Sequence, residues 1–573
     1  MKQLKGIGAS SGIAVNEAYI LRDPIFTIDN RTITNTDEEF LKYQNALKAS
    51  TEQLTKIKKI VLQKLDEEKA AIFDAHILLI QDPEIQKEVE DIIKNNKLNA
   101  PYVVQQIYDR YREVFAKMTD VYFKERAADI VDVKKRILSN LLNIQMPDII
   151  GINREVIIVS HDLAPSQTAL LDKKFIKGFI TEIGGKTSHA AIMARSMEIP
   201  AILGTKDILS NVKDHVMIGM DGSSGEIEIQ PDISVWKDKS VNFLAEKKEL
   251  EQYINKPTIT KDGKKVLIEC NIGKPADLEL GIKNGCEGVG LYRSEFLYMD
   301  NDHWPTEEEQ FNGYKAVLEG LKEHLVVLRT LDIGGDKKLF YFQFEPEMNP
   351  FLGYRAIRFC LDHKDIFKTQ LRALGRASVY GKLAIMFPMI ATIDEFKEAR
   401  AFAEQTFAEL KKEGQKVSDN IQLGMMVEIP SSAALAKQFA KHADFFSIGT
   451  NDLIQYSFAC DRMSQKVAYL YQPNNPALLS LIKSTIDGGH SAKHWVGMCG
   501  EMASDVLSIP LLLGLGLDSF SVSATAILKA RKIINSLTFI ECQALANQAL
   551  SLDTVNQVNE LVKNFLQSKG FNV

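Results

Sequence analysis

Hydrophobic and polar positions alternate differently along the chain, and the changes mark distinct regions. Residues 1–32 mix apolar residues with glycine and serine, as in GIAVNEAYIL, which predicts one or two strands. Residues 33–145 repeat apolar side chains at helical spacing among Lys, Glu and Gln, which predicts a bundle or hairpin of amphipathic helices. Pro83 and Pro101 stand where new helices are expected to start. The apolar stripe of the first helix consists of Leu47, Leu54, Ile57, Val61 and Leu65.

Short apolar runs return in residues 146–230, where VIIV, FIKGFI, AIL and EIEI are separated by turn residues. This pattern predicts a compact α/β unit, completed by strands from residues 1–32, with the helical region as an insertion. Residues 231–260 are charge-dense and helical in pattern until Pro257. They predict a connector helix between two halves of the molecule.

Residues 261–573 repeat an apolar run followed by a longer amphipathic segment, which is the spacing of βα units. Seven runs are clear: VLIECN, GVGLY, LVVLRTLD, LAIMFPM, LGMMVEIP, FFSIGTND and WVGMCGE. We place a weaker eighth run near FLGYRAIRF, Phe351–Phe359. The count predicts a (β/α)8 barrel, with a doubly wound open sheet as the alternative.

Composition and charge exclude several classes of protein. Hydrophobic residues make up 45% and charged residues 25% of the chain, which is ordinary globular usage. The net charge of −6 has the wrong sign for nucleic-acid binding. No apolar stretch approaches the roughly 20 residues of a membrane span, and the first residues do not resemble a signal peptide. We therefore expect a cytoplasmic protein that binds neither nucleic acid nor membrane.

Charged side chains cluster where the predicted barrel strands end, and strand ends form the functional face of such barrels. Arginine forks match carboxylate and phosphate oxygens two at a time, so the cluster predicts a small, highly anionic ligand. Glu428 and Asp452 are the best-placed pair for Mg²⁺, and Cys499 is a candidate general acid. The strand-end residues are Asn271, Arg293, Arg329, Asp332, Asp336, Arg355, Glu428, Asn451, Asp452, Arg462, Cys499 and Glu501.

The most specific stretch is TEIGGKTSHAAIMARSMEIPAILG, Thr181–Gly204. Gly184 and Gly185 permit a loop, Thr187 or Ser188 can cap, and AAIMARSM predicts a short helix. His189 therefore lies at or just inside a helix N-terminus, where backbone N–H groups favour an anion. A neutral imidazole there is a competent nucleophile that could hold a phosphoryl group.

The chain resembles the enzyme I family of the bacterial phosphoenolpyruvate-dependent sugar phosphotransferase system over essentially its whole length. The matching stretches are GIGASSGIA, GGKTSHAAIMARS, GVGLYRSEFLYMD, LRTLDIGGDK, NPFLGYRAIR, VEIP, GTNDLIQY and GMCGEMA. The resemblance implies Mg²⁺-dependent phosphoryl transfer from phosphoenolpyruvate to His189, then to a histidine of the carrier protein HPr, with release of pyruvate. It also implies that residues 33–145 dock HPr, and that the barrel carries the homodimer interface.

The resemblance also assigns roles to single residues. Glu428 and Asp452 would hold Mg²⁺, Cys499 would protonate enolpyruvate, and Thr168 would orient the His189 ring. Lys186 stands where we expect an arginine, and it keeps the charge but loses the bidentate fork. The residues implied to bind phosphoenolpyruvate are Arg293, Arg329, Arg355, Asn451, Asp452 and Arg462.

Three other readings compete with this one. A pyruvate phosphate dikinase or phosphoenolpyruvate synthase shares the phosphohistidine and barrel modules but needs an ATP-binding domain, and residues 33–145 have no Gly-rich phosphate loop. A non-catalytic phosphoenolpyruvate sensor would not require both a nucleophile and an acid. A barrel lyase or aldolase acting on pyruvate leaves the segment around His189 unexplained.

Overall fold

The computed structural model describes residues 2–64, 67–117, 121–147, 149, 151–168, 170–185, 188–299, 301–335, 337, 339, 341–462 and 464–573. The chain divides into two compact units, Met1–Lys247 and Lys248–Val573. Each unit buries hydrophobic clusters of its own. Within the described ranges, no helix combines the length and apolarity that a bilayer crossing requires.

An eight-stranded sheet forms the centre of the first unit. Its strands are β1 Lys2–Lys5, β2 Ile7–Ser10, β3 Ile13–Leu21, β4 Val156–Ser160, β5 Ile176–Thr181, β6 Ala201–Leu203, β7 Met217–Asp221 and β8 Glu226–Ile229. They lie in the order β1-β8-β7-β3-β4-β5-β6-β2. The neighbours β3, β4, β5 and β6 run parallel, and the remaining pairs are antiparallel. The chain's first residues thus complete a sheet that resumes only after residue 155.

The described residues between β3 and β4 form five helices, which confirms the predicted helical insertion. They are α1 Thr36–Lys64, α2 Glu67–Ile80, α3 Pro83–Asn96, α4 Ala100–Lys117 and α5 Val121–Leu142. Leu47, Leu54 and Val61 of the predicted stripe are buried, whereas Leu65 lies outside the described residues. Asp82 caps α3 by accepting hydrogen bonds from the N–H groups of Glu84 and Ile85.

Three short helices and one long helix complete this part of the chain. They are α6 Pro165–Thr168, α7 His189–Ser196, α8 Ile208–Asn211 and α9 Ile233–Glu251. α9 matches the predicted connector helix, and the boundary between the two units falls near its C-terminal end. Trp236 fixes the start of α9, because its buried ring covers Gly219 and its Nε1 donates to Glu228 over 2.8 Å.

The second unit is a closed barrel of eight parallel strands, which confirms the predicted fold class. The strands are β9 Leu267–Ile272, β10 Val289–Arg293, β11 Leu325–Arg329, β12 Lys382–Phe387, β13 Gln422–Val427, β14 Phe446–Ile448, β15 Val496–Met498 and β16 Ser519–Val522. Seven of them coincide with the predicted runs. Pairing of β16 with β9 closes the barrel.

The prediction of an eighth strand at Phe351–Phe359 is wrong. That stretch contains a 3-10 turn at Pro350–Leu352 and the start of the helix α13, Ile357–Asp362. The eighth strand is β16, and its hydrophobic signal is weak because Ser519 and Ser521 face polar partners rather than an apolar layer. Ser519 donates to Glu269, and Ser521 donates to Asn271 over 2.6 Å.

Helices follow or cover the barrel strands. They are α10 Asp277–Lys283, α11 Glu295–Met299, α12 Glu307–Leu321, α13 Ile357–Asp362, α14 Lys364–Ala377, α15 Ile393–Lys412, α16 Pro430–Ala434, α17 Ala436–Phe439, α18 Thr450–Ser457, α19 Pro476–Ser491, α20 Ser508–Leu515, α21 Ile527–Asn535, α22 Phe539–Leu550 and α23 Val555–Ser568. Capping boxes at Thr306, Thr392 and Thr554 start α12, α15 and α23.

Arg531 on α21 holds the chain just before β9. Its side chain is fully buried and donates to the carbonyls of Tyr253 and Ile254 over 3.0 and 3.2 Å. It also donates to the carbonyl of Gly285 and to the Thr258 hydroxyl. These bonds fix the segment that follows α9 to the barrel.

We expect Glu269→Gln to stabilise the barrel at alkaline pH. Burial raises the pKa of Glu269 from 4.5 to about 7, so the folded barrel holds a proton that the unfolded chain loses. The stability that the folded barrel gains from holding this proton is complete below pH 4.5 and is lost as pH rises through 7. Glutamine, which does not ionise, should therefore raise the free energy of unfolding by about 3 kcal/mol at pH 8 and by about 1 kcal/mol at pH 5. Denaturant unfolding of both proteins at these pH values measures the difference; equal stabilities at pH 8 would contradict it.

Candidate active site

Three arginines gather at the ends of β10 and β11 and in the loop beyond β11. Arg293 and Arg329 are the last residues of these adjacent strands and are register partners. Arg355 lies between the 3-10 turn and α13, so it belongs to a loop and not to a strand end as we had expected. Arg329 and Arg355 are 6% and 2% exposed, which places permanent charge inside the barrel rim.

Two buried carboxylates hold these arginines. Asp332 Oδ1 accepts from Arg355 Nη2 over 3.0 Å, and Asp332 Oδ2 lies 3.1 Å from Arg329 Nη2. Glu295 accepts a second hydrogen bond from the same Arg329 nitrogen. Lys337 Nζ bridges the two acids, 2.6 Å from Asp332 and 2.9 Å from Glu295. Three cations thus share these two anions, and Asp452 Oδ2 lies a further 3.9 Å from Arg355 Nη2.

The electrostatics of the two acids differ from those of isolated buried carboxyls. Burial by itself raises the pKa of Glu295, but Arg329 and Lys337 outweigh burial and hold the pKa below its ordinary value. Burial likewise opposes ionisation of Asp332, but Lys337, Arg329 and Arg355 hold its pKa well below the ordinary range. Both acids are therefore ionised at neutral pH and orient the guanidinium groups permanently.

Several polar atoms of this rim are buried without a protein partner. Among the residues that the structure describes, these atoms include Nε of Arg293, Arg329 and Arg355, Oγ1 of Thr450 and Oδ1 of Asp452. Native proteins leave few such atoms unpaired, so a group of them on one rim indicates that a ligand, an ion or water can pair with them. The three Nε–H donors suit an anion, whereas the two oxygens suit a cation or a donor group.

Glu428 and Asp452 form the acidic part of the rim. Glu428 follows β13, is 1% exposed, and accepts from the Met389 N–H over 2.6 Å. Burial, together with the nearby charges of Asp452 and Asp332, raises the pKa of Glu428 to about 8. A raised pKa means that the ionised form of Glu428 is destabilised, and a nearby cation would stabilise that form. Mg²⁺ takes one or two protein carboxylates plus phosphate oxygens and water, so the pair fits that ion.

Glu428 and Asp452 are a pair of carboxylates and not a complete set of protein ligands. Within the described residues, no group of three or more His, Cys, Asp or Glu side chains could hold a metal. A pair of carboxylates next to an anion-binding rim is instead the arrangement in which substrate oxygens complete the coordination.

Asn451 and Arg462 lie on the α18 side of the rim. Asn451 Oδ1 accepts from the Tyr471 hydroxyl over 3.4 Å and from the Glu501 N–H over 3.2 Å. The backbone N–H of Arg462 donates to Gln455, which fixes the loop after α18. Glu501 raises and Arg462 lowers the pKa of Tyr471, whose rise to about 12 comes mainly from burial.

Cys499 directly follows β15 on the same rim. Its thiol is 6% exposed and lies 3.8 Å from the carbonyl oxygen of Ile448. Burial raises the pKa of the thiol to about 11, although the Ser447 hydroxyl and Arg329 oppose the rise. The thiol therefore holds its proton at neutral pH, as a general acid must.

The segment around His189 lies in the first unit. Gly184 has φ of +110°, which requires glycine, and Ser188 is the N-cap of α7 with its Oγ accepting from the Ala191 N–H. His189 is the first residue of α7, as predicted. Thr168, the last residue of α6, is fully buried. Lys186, Thr187 and Asp336 lie outside the described residues.

Comparison with known proteins agrees with both halves of this description. Family models of PEP-utilising enzymes match the N-terminal part at residues 5–126, the mobile domain at 152–225 and the PEP-binding domain at 247–539. The phosphoenolpyruvate-protein phosphotransferase of Mycoplasma capricolum is 56% identical over 99% of both chains. The chain belongs to the phosphoenolpyruvate-protein phosphotransferase family.

Other members of this phosphotransferase family match over the same length. The Staphylococcus carnosus protein is 52% identical over 99% of this chain and 100% of its own, and the Bacillus subtilis protein is 51% identical over 98% and 99%. The family resemblance drawn from the sequence motifs is therefore confirmed. Since both chains are covered almost completely, the comparison applies to both structural units.

Glu295, Lys337 and Thr450 are site residues that sequence reasoning missed. All three lie inside stretches that mark the phosphotransferase family, RSEF, GGDK and GTND. Glu295 is the second residue after the end of β10, so the strand-end criterion could have included it. The role of Lys337 depends on the fold, because only the path of the loop after β11 brings its Nζ between Asp332 and Glu295.

Proposed function

We propose that this protein transfers the phosphoryl group of phosphoenolpyruvate to His189 and from there to a histidine of the carrier protein HPr, releasing pyruvate. The observation that supports the substrate best is the unpartnered set of guanidinium Nε–H donors beside a protonated thiol. Phosphoenolpyruvate needs both features, because it is a trianion at most and its product must gain a proton on carbon. Membership of the phosphotransferase family supports the same reaction.

The arginines bind and orient the substrate in this proposal. Arg293, Arg329 and Arg355 neutralise the phosphoryl and carboxylate oxygens, with Arg462 and Asn451 closing the rim. Since Glu295 and Asp332 fix Arg329 and Arg355 before substrate arrives, little side-chain entropy is lost on binding. This pre-organisation favours the extra charge of the transition state.

Glu428 and Asp452 would hold Mg²⁺. The ion, when bound, neutralises phosphoryl oxygens and so eases their approach by a nucleophile. The protein's own contribution is to keep two carboxylates buried and close, at a cost that shows in the raised pKa of Glu428.

The chemical step breaks the bond between phosphorus and the enol oxygen and forms a bond between phosphorus and an imidazole nitrogen of His189. The electron pair left on enolpyruvate takes the thiol proton of Cys499 at carbon 3, which gives pyruvate. The thiolate then recovers a proton from water. Backbone N–H groups at the start of α7 would stabilise the phosphoryl group on His189, and Thr168 would orient the ring.

Cys499→Ala should bind phosphoenolpyruvate normally but lose most of its turnover to pyruvate, because the variant lacks the thiol proton that this proposal delivers to carbon 3. General acid catalysis is worth about 10²- to 10⁴-fold, which sets the expected loss. Pyruvate release measured with lactate dehydrogenase gives the rate, and inhibitor competition gives the affinity. Cys460→Ala, which removes another buried thiol of the same unit, is the control. Turnover at the wild-type rate in Cys499→Ala would remove the thiol from the mechanism.

Docking of HPr belongs to the helical insertion in this proposal. Leu41 and Leu62 of α1 and Leu78 of α2 are 54%, 43% and 68% exposed, so these helices present apolar side chains that a protein partner can cover. His189 and the arginine rim lie in different units, so the reaction also requires the two units to meet. We assign a homodimer interface to the barrel on the family resemblance.

The direct test is incubation with ³²P-labelled phosphoenolpyruvate and Mg²⁺, followed by peptide mapping and addition of HPr. An acid-labile label on the His189 peptide that passes to HPr supports the proposal. A label that HPr cannot discharge would indicate a different acceptor, and absence of label would overturn the proposal.

A further inference from the structure

A buried polar cluster lies away from the proposed site, between the helical insertion and the turn α6. His76 on α2 is 1% exposed, and its Nε2 lies 3.1 Å from Asp129 Oδ1 on α5. Its other ring nitrogen, Nδ1, lies 3.9 Å from Asp132 Oδ2, one turn further along α5. The imidazole thus sits between two carboxylates and joins two helices of the bundle.

The cluster continues out of the bundle through Asp132. Its Oδ2 accepts a short hydrogen bond from the hydroxyl of Ser166, and the two residues are only 6% and 3% exposed. Ser166 belongs to the turn Pro165–Thr168, so it is two residues from Thr168. A chain of polar contacts therefore runs from His76 on α2 to Asp132 on α5, and a hydrogen bond continues it to the turn that carries Thr168.

The same turn lies against two other elements. α6 contacts both α2 and α7, the helix that begins at His189. The backbone N–H of Thr168 donates to the carbonyl of Ala164, and the Leu171 N–H donates to the carbonyl of Thr168. The turn is thus closed on itself, and its Ser166 hydroxyl ties it to the bundle.

Buried hydrogen bonds of this kind specify geometry more than they add stability. A buried acceptor that loses its donor still carries the cost of having been removed from water. Each polar residue of the cluster is therefore stabilised by its partners. Asp132 is also close to the buried Arg136, whose pKa is lowered by burial and raised by that carboxylate. The cluster therefore holds the turn in one position relative to α5.

We propose that His76, Asp132 and Ser166 are positioning residues for phosphoryl transfer, which fix the turn carrying Thr168 to the helical insertion and so set the orientation of His189. This inference rests on the proposed function, because it assumes that His189 accepts the phosphoryl group and that Thr168 orients it. It assigns the helical insertion a second task besides docking a carrier protein. The insertion also supports the turn that faces the reacting histidine's helix.

Ser166→Ala tests the proposal because it removes only the hydroxyl that ties the turn to Asp132. We expect single-turnover labelling of His189 from phosphoenolpyruvate to slow about tenfold, since misplacement of a reacting group costs that much or more. The KM for phosphoenolpyruvate should stay unchanged because the barrel is untouched. The ¹⁵N shifts of the His189 imidazole should change, which reports ring orientation and tautomer directly. Ser166→Thr, which retains the hydroxyl, should restore the rate.

Ser139→Ala is the matched control, because Ser139 is equally buried, lies on α5 and donates to the Ile144 carbonyl. Its rate and imidazole shifts should equal those of the wild type. Equal rates in Ser166→Ala and Ser139→Ala, or a slower Ser166→Ala with unchanged imidazole shifts, would overturn the proposal. If Ser166→Ala loses thermal stability, Asp132→Leu provides the same comparison, because leucine is close to aspartate in shape but offers no acceptor to the Ser166 hydroxyl. Failure of the proposed function shows separately, as wild-type protein that acquires no label.

Discussion

Replacing His189 by alanine is expected to abolish phosphoryl transfer completely. The proposed reaction passes through a covalent phosphoimidazole, which alanine cannot form, and the neighbouring Ser188 side chain is engaged as the N-cap of α7. Labelling by ³²P-phosphoenolpyruvate should fall to background, and HPr should stay unphosphorylated. The barrel should still bind phosphoenolpyruvate with wild-type affinity, because His189 belongs to the other unit.

His215→Ala provides the control for this substitution. His215 lies in the same unit, is exposed, and pairs with Glu17 over 3.3 Å at the sheet surface. Its removal should leave labelling and transfer to HPr unchanged. Label that persists in His189→Ala, mapped to another histidine, would show that the phosphoryl acceptor has been misassigned.

Glu428→Gln is expected to produce the second-largest effect. Glutamine keeps the size of the side chain and an acceptor for the Met389 N–H, but it removes a charge that Mg²⁺ requires. Phosphoenolpyruvate-dependent labelling of His189 should fall by about 10²-fold or more. Binding of Mn²⁺ in place of Mg²⁺, followed by electron paramagnetic resonance, should show the loss of affinity directly.

The same substitution has an opposite effect on stability. Burial and the charges of Asp452 and Asp332 raise the pKa of Glu428, so the metal-free protein gains when that charge is removed. We expect a higher Tm for metal-free Glu428→Gln than for metal-free wild type at pH 8. Glu409→Gln, at a partly buried carboxylate of α15 that pairs with Lys368, should change neither activity nor metal binding. An inactive Glu428→Gln with a lower Tm would mean structural damage and not loss of a metal ligand.

Local sequence signals predicted those parts of the fold that depend on local physics. The helices of the insertion follow from apolar spacing, and the position of His189 follows from the glycine loop and the Ser188 cap. The barrel required only a count of apolar runs, but that count misplaced one strand. β16 alternates serine with apolar residues because its inner face meets Glu269 and Asn271, and only the closed barrel shows that pairing.

The candidate site also contains residues that the sequence indicated and residues that only the fold brings together. Strand ends identified Arg293, Arg329 and Cys499, because the ends of parallel strands meet at one face. Arg355 was predicted at this rim for the wrong reason, as it reaches Asp332 from a loop. The bridge formed by Lys337 and the tie between Ser166 and Asp132 join residues far apart in the chain, so no spacing rule could indicate them.

The bonds made by Arg531 determine where the chain can be divided for study of the barrel alone. A fragment that starts at residue 259 discards the carbonyls of Tyr253 and Ile254 and the Thr258 hydroxyl. The guanidinium of Arg531, which is 0% exposed in the whole chain, would then keep unpaired N–H donors in the interior. A fragment that starts within α9 keeps every one of these partners. Expression boundaries for an isolated barrel therefore belong upstream of Tyr253, even though the first strand begins only at Leu267.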